Sequence, residues 1–289
     1  MKFITNHEER EEFLRNENLA YFKLVGGLGN QLFGLSRAHL LHKELGKKIA
    51  VDVTHIDHAK NVEPEWLSWN QLNGWCEIIA SPKELQPPDG IWNLVNPLRD
   101  APPKNSCYTG WRLSLEEVYD SGLFTQNESP FSAQKAKVTS LGMHMRGGDY
   151  RNAKGIGLLG MKYYRKALES IPSRSTDLVT IYTDDLEYAT SITNLLGSRY
   201  KTEYSLRSSP LGVLNEMSSA DIFVGSNSTL SWWAAFFSGS KFKYLPAPMY
   251  LQDWSADKNI ILKEVQYLDR FQNLFQEKYN YVIWNIIRR

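Results

Sequence analysis

Cysteine is scarce: Cys76 and Cys107 are the two in 289 residues, and no C-x-x-C pair exists. A disulfide framework and a thiolate zinc site are therefore unsupported, and a reducing compartment fits best. An excess of charge of one sign is also missing, with 33 Lys and Arg against 32 Asp and Glu. No global field exists to hold a polyanion, which disfavours a nucleic-acid partner but leaves room for a local basic pocket around one anionic ligand. No run approaches the ~18 apolar residues of a spanning helix, so no transmembrane segment is expected. The start of the chain carries Glu8, Glu9, Arg10, Glu11 and Glu12, the reverse of a basic segment leading into an apolar core. No signal peptide and a cytoplasmic location are the expectation. Residues 279–289 combine Tyr279, Trp284, Ile286 and Ile287 with a terminal Arg288-Arg289 pair. They read as a last helix packed on the body, with peripheral contact to an anionic membrane face as the alternative.

What is present is an ordinary globular mix, 42% hydrophobic and 22% charged, which excludes a long disordered or fibrous protein. The length suits two domains and a sizeable core. Aromatic residues reach 12%, with nine Trp, and large flat side chains in that number call for an explanation.

Residues 19–25 read as a strand, 31–45 as a helix closed by Gly46, and 48–53 as a second strand, an opening βαβ-like unit. Between residues 63 and 130 eight prolines punctuate the pattern and no long helix is legible. The second half is regular. Strands at 136–145, 178–182, 200–205, 221–224 and 241–245 alternate with helices at 161–170, 186–195, 211–218 and 230–237. That alternation predicts a parallel, doubly wound sheet. The domain linker is placed near the end of the proline-rich stretch, which gives domains at 1–130 and 131–289.

In such sheets ligands bind beyond the carboxyl ends of the strands, so four strand-end strings carry the interest. Gly26-Gly27-Leu28-Gly29-Asn30-Gln31 lets backbone amides approach an anion at a helix start. As a dinucleotide fingerprint it fails, because Leu32 stands where the third glycine belongs; Asp52 keeps a nicotinamide reading weakly alive, and a ligand-free tight turn is the plain alternative. His144-Met145-Arg146-Gly147-Gly148-Asp149-Tyr150 offers a guanidinium fork matched to phosphate oxygens, with Asp149 placed to orient it. A surface pair of Arg146 with Asp149 is the competing reading. Asn227, Ser228 and Thr229, after Ser226, serve equally as helix caps or as partners of a phosphate at the positive end of the helix. Trp232, Trp233, Phe236 and Phe237 behind them read as core. Thr183-Asp184-Asp185 invites a metal reading, but adjacent acids leading into a helix predict N-capping. Asp52, His55, Asp57 and His58 have no diagnostic metal spacing and read as a polar loop.

Taken in order, Gly26 to Phe33, His144 to Tyr150, Thr183-Asp184-Asp185 and Asn227 to Trp233 resemble the G-G-L-G-N-Q-L-F, H-x-R-R-G-D-Y, S-D-D and N-S-T-F-S-W-W motifs of the α-1,2-fucosyltransferases of glycosyltransferase family 11. The resemblance spans roughly residues 20–250. It implies an α/β, GT-B-like enzyme with two facing Rossmann-like domains. The first would form the acceptor side and carry the Gly-rich loop; the second would bind the GDP-sugar. The implied reaction moves L-fucose from GDP-fucose to a hydroxyl, galactose O2, of an oligosaccharide acceptor, with inversion and with neither cofactor nor metal. By the same resemblance Arg146 binds the β-phosphate, His144 sits near the pyrophosphate and sugar, and Asp149 supports Arg146. Gly27, Gly29, Asn30, Asn227, Ser228 and Thr229 complete the donor site.

The chain departs from the family pattern at three places. Gly147 replaces the second arginine of the motif, which removes a charge or shifts its role to Arg151. Val213-Leu214 stands where members carry Asp-Leu, which moves base recognition to Asn215, Glu216 or elsewhere. No residue declares itself as the general base, Asp149 and His144 being candidates by location. Five tryptophans, Trp66, Trp69, Trp75, Trp92 and Trp111, fall in the proline-rich region, where they either stack on acceptor sugars or fill a core. A transferase for another nucleotide sugar, a non-catalytic carbohydrate-binding protein on the same fold and a nicotinamide-dependent dehydrogenase are the competing functions.

Overall fold

Residues 19–53 form the strand, helix and strand that their periodicity predicts. The computed structural model describes residues 2–3, 6, 8–9, 12, 16, 18–54, 56, 66, 72–80, 92–94, 107–109, 113–130, 141–153, 155–172, 178–196, 200–207, 209–247, 249 and 260–270. It divides into two units, Met1–Phe124 and Thr125–Arg289. The expected helix at 279–289 and residues Trp69, Trp111, His55, Asp57 and His58 lie outside the described residues.

In the first unit β1 (Lys2–Phe3) and β2 (Leu19–Lys23) are followed by α1 (Leu28–Leu45), β3 (Lys48–Asp52), β4 (Cys76–Ala80), β5 (Trp92–Leu94), β6 (Cys107–Thr109) and α2 (Leu115–Ser121). All strand pairs are parallel, in the order β1-β4-β3-β2-β6-β5. Helix α1 begins three residues before the predicted start. Gly27 is its N-cap and Gly46, in the left-handed region at φ 63°, closes it, as its lack of a Cβ allows. Helix α2 is held by a capping box: Ser114 Oγ accepts the Glu117 amide at 3.2 Å and Glu117 Oε2 accepts the Ser114 amide at 2.7 Å. Arg37 of α1, almost fully buried, reaches Glu117 at 3.4 Å and ties the two helices together.

The second unit contains β7 (Leu141–Met145), a 3-10 turn (Gly148–Arg151), α3 (Met161–Ser170), β8 (Leu178–Thr183), α4 (Leu186–Leu196), β9 (Lys201–Tyr204), α5 (Pro210–Ser219), β10 (Ile222–Val224), α6 (Thr229–Phe237), β11 (Phe242–Ala247) and β12 (Gln266–Asp269). Its six strands are again all parallel, in the order β12-β11-β10-β7-β8-β9. Every residue of β7 and β10 is buried, as a central parallel strand covered on both faces requires. Leu141, Met143 and Met145 of β7 pack with Tyr163, Tyr164 and Leu168 of α3 and with Tyr188 and Ile192 of α4. Trp232, Trp233, Phe236 and Phe237 are at most 2% exposed and stack on one another with centroid spacings of 5.0 to 5.4 Å, so helix α6 is core on its aromatic face.

Candidate functional site

The strand orders locate a switch point in each sheet. In the second unit the chain proceeds outward from β7 to β8 and β9, then returns to place β10 on the other side of β7. The crevice for a ligand therefore opens beyond the carboxyl ends of β7 and β10. The string His144 to Tyr150 leaves one of these strands and Gly225 to Thr229 leaves the other. In the first unit β3 and β4 lie on one side of β2 and β6 on the other, so the Gly26 to Asn30 string occupies the corresponding place there.

Arg146 follows β7 directly and is held from three directions. Its Nη2 donates to Asp149 Oδ1 at 2.7 Å, its Nη1 pairs with Asp184 Oδ2 at 2.7 Å, and its guanidinium carbon lies 5.3 Å from the centre of the Tyr150 ring. The side chain is one-third exposed, so the fork is fixed yet reachable. Asp184 Oδ1 also accepts the Gly147 amide at 2.9 Å. Tyr150 bonds to Ser228, and burial raises its phenol pKa.

His144, the fourth residue of β7, is buried. Its Nδ1 lies 2.6 Å from Ser231 Oγ and 3.3 Å from Ser226 Oγ, which bridges β7 to the start of α6 across the switch point. Burial, reinforced by the charge of Arg146, lowers its pKa to about 3. The ring is neutral at physiological pH and Nδ1 is committed to the serines, which leaves Nε2, without a partner among the described residues, for a ligand.

Ser228 is the N-cap of α6 and accepts the Leu230 amide at 3.2 Å. Thr229 is the first residue of that helix, whose first amides face the crevice with a positive partial charge. Asn227 is fully buried and donates to the carbonyls of Ile156 (3.3 Å) and Gly157 (2.9 Å). Gly157 O also accepts from Arg270 Nη2 at 3.0 Å, so Asn227 anchors the segment between the 3-10 turn and α3.

In the first unit Gly26 has φ +81°, and a Cβ there would lie 2.7 Å from Asn30 Nδ2. The left-handed φ strains any other residue there, and the Asn30 side chain would also have to turn aside to admit a Cβ. Gly29 and Asn30 lie in the first turn of α1, whose N-cap Gly27 offers no side-chain cap. Gln31 fastens the turn: its Nε2 donates to Gly26 O at 2.8 Å and its Oε1 accepts from Trp66 Nε1 at 2.8 Å. Trp66 and Trp75 are 1% and 5% exposed, so the sugar-stacking alternative fails for both. Asp52 is buried, accepting from Tyr21 Oη and from the Thr54 amide.

The adjacent acids Asp184 and Asp185 divide their work. Asp185 caps α4 by accepting the Tyr188 amide at 2.9 Å and binds Arg151 through both of its oxygens. Hydrogen bonding from Arg151, helped by the Tyr188 amide, lowers its pKa to about 2. N-capping therefore describes Asp185 and not Asp184, which serves Arg146. Arg151 is bound by Asp185 and, at 3.2 Å, by Glu187, so it does not stand free in place of the arginine replaced by Gly147. Glu216 is likewise occupied by Arg207 Nε at 2.6 Å and Ser205 Oγ at 2.7 Å, and Asn215 accepts from Ser129 at 3.3 Å. Sequence reasoning missed Asp184 as a partner of Arg146, and missed the Ser226 and Ser231 contacts of His144. The signal for the serines was their place at the end of one strand and on the first turn of the next helix. No group of three or more His, Cys, Asp or Glu able to hold a metal occurs among the described residues.

A doubly wound parallel sheet with an arginine fork and a helix N-terminus at its switch point defines an α/β protein with a candidate anion site. Residues 126–269 match the family model of glycosyl transferase family 11, and the chain belongs to that family. The O-antigen biosynthesis glycosyltransferase WbnK of Escherichia coli is 29% identical over 306 aligned residues, covering 83% of this chain and 96% of that protein. Among solved structures, the heptosyltransferase WaaC of E. coli with ADP superposes with a TM-score of 0.49 at 10% identity, over 93% of this chain and 99% of that one. The fucosyltransferase NodZ from Bradyrhizobium gives 0.45 at 11% identity, over 77% and 93%. No helix among the described residues is long and apolar enough to cross a membrane.

Proposed function

We propose that this glycosyltransferase uses GDP-fucose and transfers L-fucose with inversion to a galactose hydroxyl, O2, of a glycan acceptor. The observation that carries the reading is Arg146, fixed at the switch point beside the N-terminus of α6. The four ordered motifs supply the choice of sugar. WbnK, a glycosyltransferase of O-antigen biosynthesis, supports a glycan as acceptor.

The acceptor oxygen attacks the anomeric carbon of fucose as the bond to the β-phosphate oxygen breaks. The electron pair of that bond goes to GDP, and the proton of the acceptor hydroxyl goes to a base. Arg146 and the first amides of α6 stabilise the charge that grows on the β-phosphate. Nε2 of His144 contributes a contact rather than a base, since the ring resists protonation until about pH 3. Asp149, 67% exposed, is the carboxylate favoured as proton acceptor. Gly27, Gly29 and Asn30 belong to the same proposal as donor-binding positions.

Calorimetric titration with GDP, UDP and ADP, followed by transfer assays on galactose-terminated acceptors with NMR assignment of the linkage, tests this reading. GDP should bind best. Arg146→Lys, which loses the fork but keeps a charge, should cut turnover by about 10²-fold or more with an unchanged melting temperature. Preference for UDP, or near-normal turnover in Arg146→Lys, would refute it.

A further inference from the structure

Arg146 carries a carboxylate on each terminal nitrogen, and the two carboxylates are held differently. Asp184 meets Nη1 at 2.7 Å and accepts the Gly147 amide at 2.9 Å through its other oxygen, so the backbone leaving β7 fixes it in place. Its side chain is 31% exposed. Asp149 meets Nη2 at 2.7 Å, is 67% exposed, and makes no other side-chain hydrogen bond among the described residues. The guanidinium carbon lies over the Tyr150 ring, 5.3 Å from its centre. A guanidinium donates hydrogen bonds only in its own plane. With Nη1 engaged by a fixed carboxylate, the edge that a phosphate can take is the one bearing Nη2.

We propose that Asp149 and the donor diphosphate compete for the Nη2 edge of Arg146, while Asp184 keeps the Nη1 edge throughout and aims the guanidinium. The inference deepens the donor reading above and rests on it. Asp184 is then a positioning residue acting through Arg146. Asp149 is a carboxylate that the diphosphate releases, with no covalent bond made or broken in the exchange. Once released it stands beside the reacting centre without its cation, which couples donor binding to the availability of a proton acceptor.

GDP titrated into the wild type, Asp149→Asn and Asp184→Asn tests the two roles by sign. Asp149→Asn removes the competing charge, and GDP should bind about two- to fivefold more tightly, the range set by an exposed ion pair, while transfer falls. Asp184→Asn keeps an oxygen for the Gly147 amide, so the fold and melting temperature should hold. GDP should nevertheless bind about tenfold more weakly, with KM for the donor rising more than kcat falls. Shifts of the same sign in the two variants, or an unchanged affinity in Asp149→Asn, overturn the proposal. Arg146→Lys separates the two levels. If it binds GDP as well as the wild type does, the donor reading itself fails; if it loses GDP while both aspartate variants weaken binding alike, only this inference fails.

Discussion

Replacing Gly147 with arginine restores the residue that the family motif carries there, and the structure says that the change is harmful. A Cβ at position 147 would lie 2.6 Å from Asp185 Cβ and 2.8 Å from Tyr188 Cδ1. Neither neighbour can yield. Asp185 is pinned by Arg151 and by the Tyr188 amide, and Tyr188 is a core residue whose hydroxyl donates to Leu159 O at 2.6 Å. Backbone strain is not the cause, since φ is −118°, within reach of any residue. Overpacking of this kind costs about 1–3 kcal/mol, and each kcal/mol lowers the melting temperature of a domain of this size by about 2–4 °C. A loss of about 2–12 °C is therefore expected. The amide of residue 147 is also bonded to Asp184, so the shift should carry into Arg146 and weaken GDP binding as well. Thermal melts and GDP titrations of Gly147→Ala and Gly147→Arg together separate the added Cβ from the added charge. Both variants should melt lower and bind GDP less well. A Gly147→Ala protein that melts within about 1 °C of the wild type, or a Gly147→Arg protein with faster transfer, would show the packing argument to be wrong.

Two further outcomes follow from buried groups. The unfolded chain protonates His144 near its ordinary value of 6.5, whereas the folded chain protonates it only near 3. Stability is therefore lost as pH falls below about 6.5, by about 1.4 kcal/mol per pH unit from this group until about pH 3; in urea melts between pH 7 and pH 4, His144→Gln should show the shallower decline, and equal slopes would discount the effect. Trp66→Phe leaves Gln31 Oε1 unsatisfied in the core, at a cost of about 1–3 kcal/mol. It should speed hydrogen exchange in the Gly26 turn that Gln31 fastens, and an unchanged denaturation midpoint would refute the role given to that bond.

The regular second half was legible through its helices of nine to eleven residues, which show their period and bracket the short strands between them. Residues 161–170, 186–195 and 230–237 were recognised nearly to the residue. The elements that escaped, β1, β4, β5, β6, α2 and β12, run from two to seven residues and have no long helix on both sides to frame them. Helix α2 did leave a local trace in its Ser114 and Glu117 capping box. At the candidate site the residue types were visible in the four strings, but their partners were not. Asp184 lies thirty-eight positions from Arg146 and Ser231 eighty-seven from His144. Nothing local in either string indicates which acid will cap a helix and which will hold the arginine.

The near-equal charge and scarce cysteine, together with the alternation of strands and helices, were enough by themselves to determine an α/β protein with parallel sheets and strand-end strings suited to an anionic ligand. These properties are read from composition and period, which are local. Tertiary structure alone decided how the charge at the site is distributed. It put Asp184 on Arg146 and Asp185 on Arg151, turned the His144 ring into a buried neutral bridge, and sent Trp66 and Trp75 into the core. The physical reason is that parallel pairing brings together the ends of strands distant in sequence, and the hydrogen bonds formed there depend on strand order rather than on neighbours in the chain.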